Sequence, residues 1–254
     1  MSVSRTRRCL LKSTTIASMA CGLGIPMVQA AAAEAGRFTA VLSRPNQALE
    51  PGEHVLEEIG GRRTLLYLPP SYNPEIEHPF LVMFHGARGD GDSTLQSARA
   101  SADEHGVILL CPSTQAGTWD GIRGSFARDF NVINTLLQRA FDSCAIDSRH
   151  IAIGGFSDGA SYGVSLGLIN GDLFTHVIAH SPGFIISDNW HGKPGVYVSH
   201  GRQDTVLPFD RCGAAIVKRL QAKGYTPRFD VFEGGHTASP EIRSAALAWF
   251  TRPA

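Results

Sequence analysis

Phe80-Leu81-Val82-Met83-Phe84 is an unbroken apolar run of strand length. A strand without polar alternation has no face to offer water, so both of its faces must be covered. Val107-Ile108-Leu109-Leu110 repeats the pattern and is stopped by Pro112, and Ile151-Ala152-Ile153 repeats it ahead of Gly154-Gly155. His176-Val177-Ile178-Ala179, Val196-Tyr197-Val198 and Phe229-Asp230-Val231-Phe232 continue the series. Residues 54–68 add early strands about a Gly60-Gly61 turn, ended by Pro69-Pro70. Helical patterns lie between the runs, over residues 93–104, 129–140, 159–168, 208–223 and 240–250. In the second, Phe130, Ile133, Leu136, Leu137 and Phe141 recur at spacings of three and four and make one apolar stripe. Pro208 and Pro240 suit a first helical turn, and Gly224 suits a C-cap. Strand and helix alternate throughout, which predicts an α/β fold: a mainly parallel, doubly wound sheet with helices on both faces. Only residues 182–195 separate Ser181 from the Val196 strand, too few for a large lid.

A chain of 254 residues, 43% hydrophobic, is long enough for one substantial core. Lys plus Arg equals Asp plus Glu at 23 each, so net charge gives no reason to expect nucleic acid or an anionic membrane as partner. The beginning of the chain differs from the rest. Arg7-Arg8 precede Leu10-Leu11, a Ser/Thr/Ala-rich apolar stretch follows over residues 13–28, and Val28-Gln29-Ala30 ends it. This has the form of a twin-arginine-like export signal over residues 1–33, removed on processing. It implies a periplasmic or secreted bacterial protein with no integral membrane association, and one catalytic domain over residues 34–254. Outside the signal, Cys111, Cys144 and Cys212 are an odd number. They can form at most one bridge, and buried thiols are the simpler reading. No clustered Cys/His spacing points to a metal site, and Gly89-Asp90-Gly91-Asp92 lacks the later glutamate of a calcium loop.

Gly155-Phe156-Ser157-Asp158-Gly159 is a G-x-S-x-G sequence. It follows the Ile151-Ala152-Ile153 strand and precedes a helical pattern, the context in which a sharp strand-to-helix turn exposes a nucleophilic serine. A serine hydroxyl is a weak nucleophile and needs an adjacent base. His236, in Glu233-Gly234-Gly235-His236 after the last strand, is the candidate. A carboxylate must orient that base. Asp204 follows the Val196 strand in His200-Gly201-Arg202-Gln203-Asp204 and is the first choice, with Asp210 and Asp188 as alternatives. Oxyanion donors are expected at the Asp158 N–H and in the loop His85-Gly86-Ala87-Arg88-Gly89, with Ala87 ahead of Arg88. Trp119, after the Val107 strand, is the candidate substrate contact, because strand C-terminal ends face the ligand in open α/β sheets.

Three segments together, His85-Gly86-Ala87-Arg88-Gly89-Asp90-Gly91-Asp92, Gly155-Phe156-Ser157-Asp158-Gly159 and His200-Gly201-Arg202-Gln203-Asp204, resemble the phospholipase/carboxylesterase family of α/β-hydrolases. They are similar also to secreted polyhydroxyalkanoate depolymerases and feruloyl esterases. The resemblance spans roughly residues 54–250. It implies an α/β-hydrolase fold and hydrolysis of a small-molecule carboxylic ester through an acyl-enzyme, with no cofactor. Ser157, Asp204 and His236 match the family's catalytic positions. Ala87 stands where relatives often carry leucine or another large residue, which bears on the acyl pocket. A thioesterase or polyester depolymerase on the same residues is the alternative, and a non-catalytic binding protein on the same fold is a third reading.

Overall fold

The computed structural model describes residues 35–46 and 49–252; the expected export signal lies outside the described residues. Eight strands form one sheet: β1 (Gly52–Ile59), β2 (Arg62–Leu68), β3 (His78–Phe84), β4 (Ile108–Cys111), β5 (Ile146–Phe156), β6 (His176–His180), β7 (Gly195–Gly201) and β8 (Arg228–Phe232). Their order across the sheet is β1-β2-β4-β3-β5-β6-β7-β8. The first two strands run antiparallel to each other, and β2 runs antiparallel to β4. Every later pairing is parallel. This is the expected doubly wound α/β sheet with an antiparallel edge added by the β1–β2 hairpin.

The apolar runs explain the layering. In β3, Phe80, Val82 and Phe84 pack with Ile133 and Leu137 of α2 (Arg128–Ser143), Val164 of α3 (Asp158–Ile169) and Ile216 of α4 (Gly213–Ala222). The alternate residues Leu81 and Met83 pack with Leu95 of α1 (Gly91–His105) and Leu247 of α5 (Pro240–Phe250). A strand whose two residue sets enter two different cores cannot carry a polar face. Asp90 caps α1: its carboxylate accepts from the Ser93 N–H at 2.8 Å, and Ser93 Oγ accepts from the Asp90 N–H at 3.0 Å. The acidic turn therefore serves a helix start. Cys111, Cys144 and Cys212 are all buried and free, and burial pushes the Cys144 thiol up to about 12.

Two boundaries differ from expectation. α4 begins at Gly213, because residues 208–212 form a turn in which the Cys212 N–H donates to the Pro208 carbonyl at 3.0 Å. A Cβ on Gly213 would lie 2.5 Å from His200 Nδ1, so the helix starts where only glycine lets it approach β7. Strand β5 begins at Ile146, ahead of its apolar core, and Asp147 there accepts from Arg149 and His150. The β6–β7 connection carries no helix, consistent with the absence of a large lid.

Candidate active site

Parallel strands deliver their C-terminal ends to one rim, and β3, β5, β7 and β8 each contribute to the site there. Ser157 sits between β5 and α3 with φ 58° and ψ −120°, a backbone conformation that costs a non-glycine residue roughly 1–3 kcal/mol. Its surroundings hold it there. The Ser157 N–H donates to the His180 carbonyl at 2.9 Å, and its own carbonyl accepts from the Ser161 N–H at 3.0 Å. Gly159 lies so close to the Phe84 and His85 carbonyls that no side chain fits, and a Cβ on Gly163 would stand 2.9 Å from Gly154 Cα. Glycines at this spacing let α3 lie against β3 and β5, which fixes the turn that presents the serine.

His236 follows β8 and reaches back across the rim. The Ser157 hydroxyl donates to His236 Nε2 at 2.8 Å, and His236 Nδ1–H donates to Asp204 Oδ2 at 2.7 Å. A carboxylate only accepts, so this contact fixes the tautomer that leaves Nε2 free for the serine proton. Asp204 is buried and held on its other oxygen by the Val206 and Leu207 N–H groups at 2.9 and 2.8 Å. Burial alone would raise its pKa; the hydrogen bonds from His236, Leu207 and Val206 outweigh burial and hold it below the ordinary value. The structure brings these three side chains together and not the alternatives. Asp188 pairs with Arg219 at 2.9 Å on the surface, and Asp210 is exposed in the turn before α4. His200, buried beneath Asp204, donates from Nε2 to the Leu207 carbonyl at 2.8 Å and lies 3.2 Å from Asp204 Oδ2.

The loop after β3 closes over Ser157: a Cβ on Gly86 would stand 3.3 Å from Ser157 Cβ. Of its two candidate donors, the Arg88 N–H is engaged by the Gly117 carbonyl at 2.7 Å, which leaves Ala87. The Asp158 N–H opens α3 and is among those with no intrahelical acceptor, at the positive end of the helix dipole. The Ala87 peptide is aimed by His85. His85 Nδ1–H donates to the Gly86 carbonyl at 2.7 Å, and Nε2 accepts from the Thr114 N–H at 3.2 Å. In a trans peptide the C=O and the next N–H point opposite ways, so anchoring the Gly86 carbonyl fixes where the Ala87 N–H points. Burial pulls the His85 pKa down to about 4, which keeps the ring in the neutral form this pattern needs.

Trp119 corrects the expectation. It is fully buried, with no surface left to meet a ligand. Its indole N–H donates to the His85 carbonyl at 2.9 Å, and its ring stacks on Tyr162 with centroids 5.2 Å apart. A large amphipathic ring beneath a loop is satisfied by one buried acceptor, so Trp119 supports the His85 loop from behind instead of meeting a ligand. Thr118 next to it donates to Asp158 Oδ2 at 2.7 Å and ties the same segment to α3. Among the described residues no cluster of three or more His, Cys, Asp or Glu has the arrangement of a metal site.

Residues 120–248, just over half the chain and including Ser157, Asp204 and His236, match the phospholipase/carboxylesterase family. The chain belongs to that family. Feruloyl esterase C of Emericella nidulans is 26% identical to it over 163 residues, covering 61% of this chain and 59% of that protein. The chain thus spans about 59% of the length of the curated relative it matches. Among solved structures, fluorophosphonate-binding serine hydrolase F of Staphylococcus aureus superposes with a TM-score of 0.62 at 15% identity, over 80% of this chain and 100% of that one. A CE1 ferulic acid esterase of Anaeromyces mucronatus, in complex with ferulic acid, gives a TM-score of 0.55 at 17% identity, over 75% and 84%. Both share the carboxylesterase family's α/β-hydrolase fold.

Proposed function

We propose that this protein hydrolyses carboxylic esters through an acyl-enzyme formed on Ser157. The observation that carries the reading is the continuous hydrogen-bonded chain from Ser157 Oγ through His236 to Asp204, at 2.8 and 2.7 Å. His236 Nε2 takes the hydroxyl proton as Oγ bonds to the ester carbonyl carbon, and the carbonyl electron pair moves onto oxygen. The N–H groups of Ala87 and Asp158 receive that oxyanion. His236 returns the proton to the departing alcohol, the C–O bond breaks, and the acyl group stays on Ser157. Water, deprotonated by His236 in turn, releases the acid. Asp204 stays ionised throughout and stabilises the imidazolium.

Feruloyl-type esters are a second reading, supported by the similarity to feruloyl esterase C. A thioester or polyester would use the same steps. The Arg7-Arg8 and Val28-Gln29-Ala30 pattern supports export, so the native protein should begin after residue 30 when sequenced from its host.

The test is covalent labelling by a fluorophosphonate followed by a p-nitrophenyl ester panel of rising acyl length. Labelling at Ser157 and turnover are expected in wild type. Ser157→Ala should abolish labelling and lower kcat by roughly 10³-fold to 10⁶-fold. Unimpaired ester turnover by Ser157→Ala would overturn the assignment.

A further inference from the structure

Helix α5 carries its core stripe at Ala246, Leu247 and Phe250, and Arg243 falls on that same stripe, one turn earlier. A charge on the buried face of a helix needs a partner, because removing an unpaired guanidinium from water is costly. Arg243 has none of the opposite sign: among the described residues no carboxylate lies within ion-pair distance of it. Its Nε is buried without a hydrogen-bond partner. One terminal nitrogen donates to the Ala238 carbonyl. Burial also lowers its pKa below the usual arginine value.

The guanidinium borders a cavity of about 280 Å³ lined as well by Gly86, Ala87, Thr94, Ser97 and Phe156. This cavity adjoins the candidate active site on two sides. Gly86 and Ala87 belong to the loop over Ser157, and the Phe156 ring lies 4.9 Å from the His236 ring. No acidic side chain lines it. The hydroxyls of Thr94 and Ser97 are committed as donors to the Asp90 and Thr94 carbonyls at 2.9 and 2.8 Å, so they have only acceptor capacity left. The nearby α1 carboxylates are engaged elsewhere: Asp90 caps the helix and Asp92 pairs with Arg63. Among the described residues Arg243 is therefore the only charged side chain lining this cavity, which lies beside the loop that covers Ser157.

We propose that Arg243 binds an anionic group, a carboxylate, on the ester substrate, so that this enzyme prefers esters carrying a free acid at the far end of their acyl or alcohol part. The proposal rests on the ester-hydrolase reading and narrows its substrate class. A carboxylate supplies the counter-charge that the protein withholds, and a guanidinium is the side chain best shaped to hold one.

Two matched pairs of substrates test it. On the acyl side, mono-p-nitrophenyl adipate is compared with the p-nitrophenyl ester of its terminal amide. On the alcohol side, the butyrate ester of 4-hydroxybenzoate is compared with that of 4-hydroxybenzamide. Each kcat/KM is normalised to the ester's rate with hydroxide. In one pair the acid should exceed the amide by about 10-fold to 100-fold, chiefly through KM, as expected for a charge-assisted contact in a protein interior. Which pair responds identifies the side of the ester that enters the cavity. Arg243→Met should bring that ratio close to one while the amide esters are still turned over, and Arg243→Lys should keep part of it. No acid preference in either wild-type pair, or a preference that survives Arg243→Met, overturns the proposal. Equal losses on acid and amide would reduce Arg243 to a support for Ala238 and likewise overturn it. Should Arg243→Met fail to fold, the wild-type ratios and Arg243→Lys decide the matter. Absence of turnover on both amide esters, together with no fluorophosphonate labelling, would instead count against the ester-hydrolase reading itself.

Discussion

The His85 imidazole is one of two anchors of the peptide that carries the Ala87 N–H, and its share can be tested separately from stability. His85→Leu removes the donor to the Gly86 carbonyl at 2.7 Å and also the acceptor for the Thr114 N–H at 3.2 Å. Complete loss of an oxyanion donor costs roughly 10²-fold to 10³-fold in kcat. The Gly86 carbonyl retains a second anchor, the Gly89 N–H at 3.0 Å, so the peptide loosens without being released. The expected fall is therefore smaller, about 10-fold to 10²-fold, with KM for a short ester nearly unchanged. His85→Asn is the matched control, because its amide places an N–H close to where Nδ1–H stands. It should recover most of the activity. Both variants leave the buried Thr114 N–H unpaired, at a cost of about 1–3 kcal/mol each, read as similar shifts in urea midpoint. Stopped-flow kinetics on p-nitrophenyl acetate and equilibrium unfolding separate the two effects. If Leu and Asn variants lose the same activity, or if His85→Leu keeps wild-type kcat, the peptide is not held by His85.

Asp204→Asn should keep the fold but favour the wrong imidazole tautomer, lowering kcat by up to about 10⁴-fold, whereas Asp188→Asn and Asp210→Asn should leave it unchanged; matching losses at the latter two would move the acid. Gly159→Ala should destabilise by about 1–3 kcal/mol or more in urea unfolding, since its side chain would meet the Phe84 and His85 carbonyls; a wild-type midpoint would contradict that packing. Acid should also destabilise the fold: burial holds His85 at about 4 and His180 at about 3, against 6.5 ordinarily. With His176, also held at about 4 by burial, the unfolded chain binds up to about three more protons than the folded one between about pH 6.5 and 4, so this stabilisation is fullest above 6.5 and is lost as the pH falls through that window, by roughly 1 kcal/mol per unit for each group. A urea midpoint that stays flat from pH 7 to 5 would refute the reading.

Elements with a continuous apolar run or a regular stripe were legible from sequence. β3 and α2 fall where Phe80 to Phe84 and the Phe130–Phe141 spacing place them, because burial on a strand or helix face writes a period into the chain. The start of α4 was not legible: Pro208 suits a first turn in isolation, but residues 208–212 form a separate turn and the helix begins at Gly213, where it packs closely on His200 of β7. In the candidate site, the turns that bring Ser157 and His236 together were legible because local glycines mark them. Trp119 was misplaced, since one aromatic residue in a loop has no period from which to read its direction. Arg243 did leave a signal, a charge on the apolar stripe of α5, but a single interruption of a stripe acquires meaning only once the cavity beside it is known.

The sheet order has a kinetic consequence. The serine follows β5, its backbone anchor comes from β6, the acid follows β7 and the base follows β8. Parallel neighbours pair only after the chain between them has formed its crossover, which makes such sheets slow to complete. Fluorophosphonate reactivity should therefore lag behind the recovery of helical signal during refolding, and return only when the last strand, β8, has docked. The nucleophile reports the end of folding and is silent about its beginning.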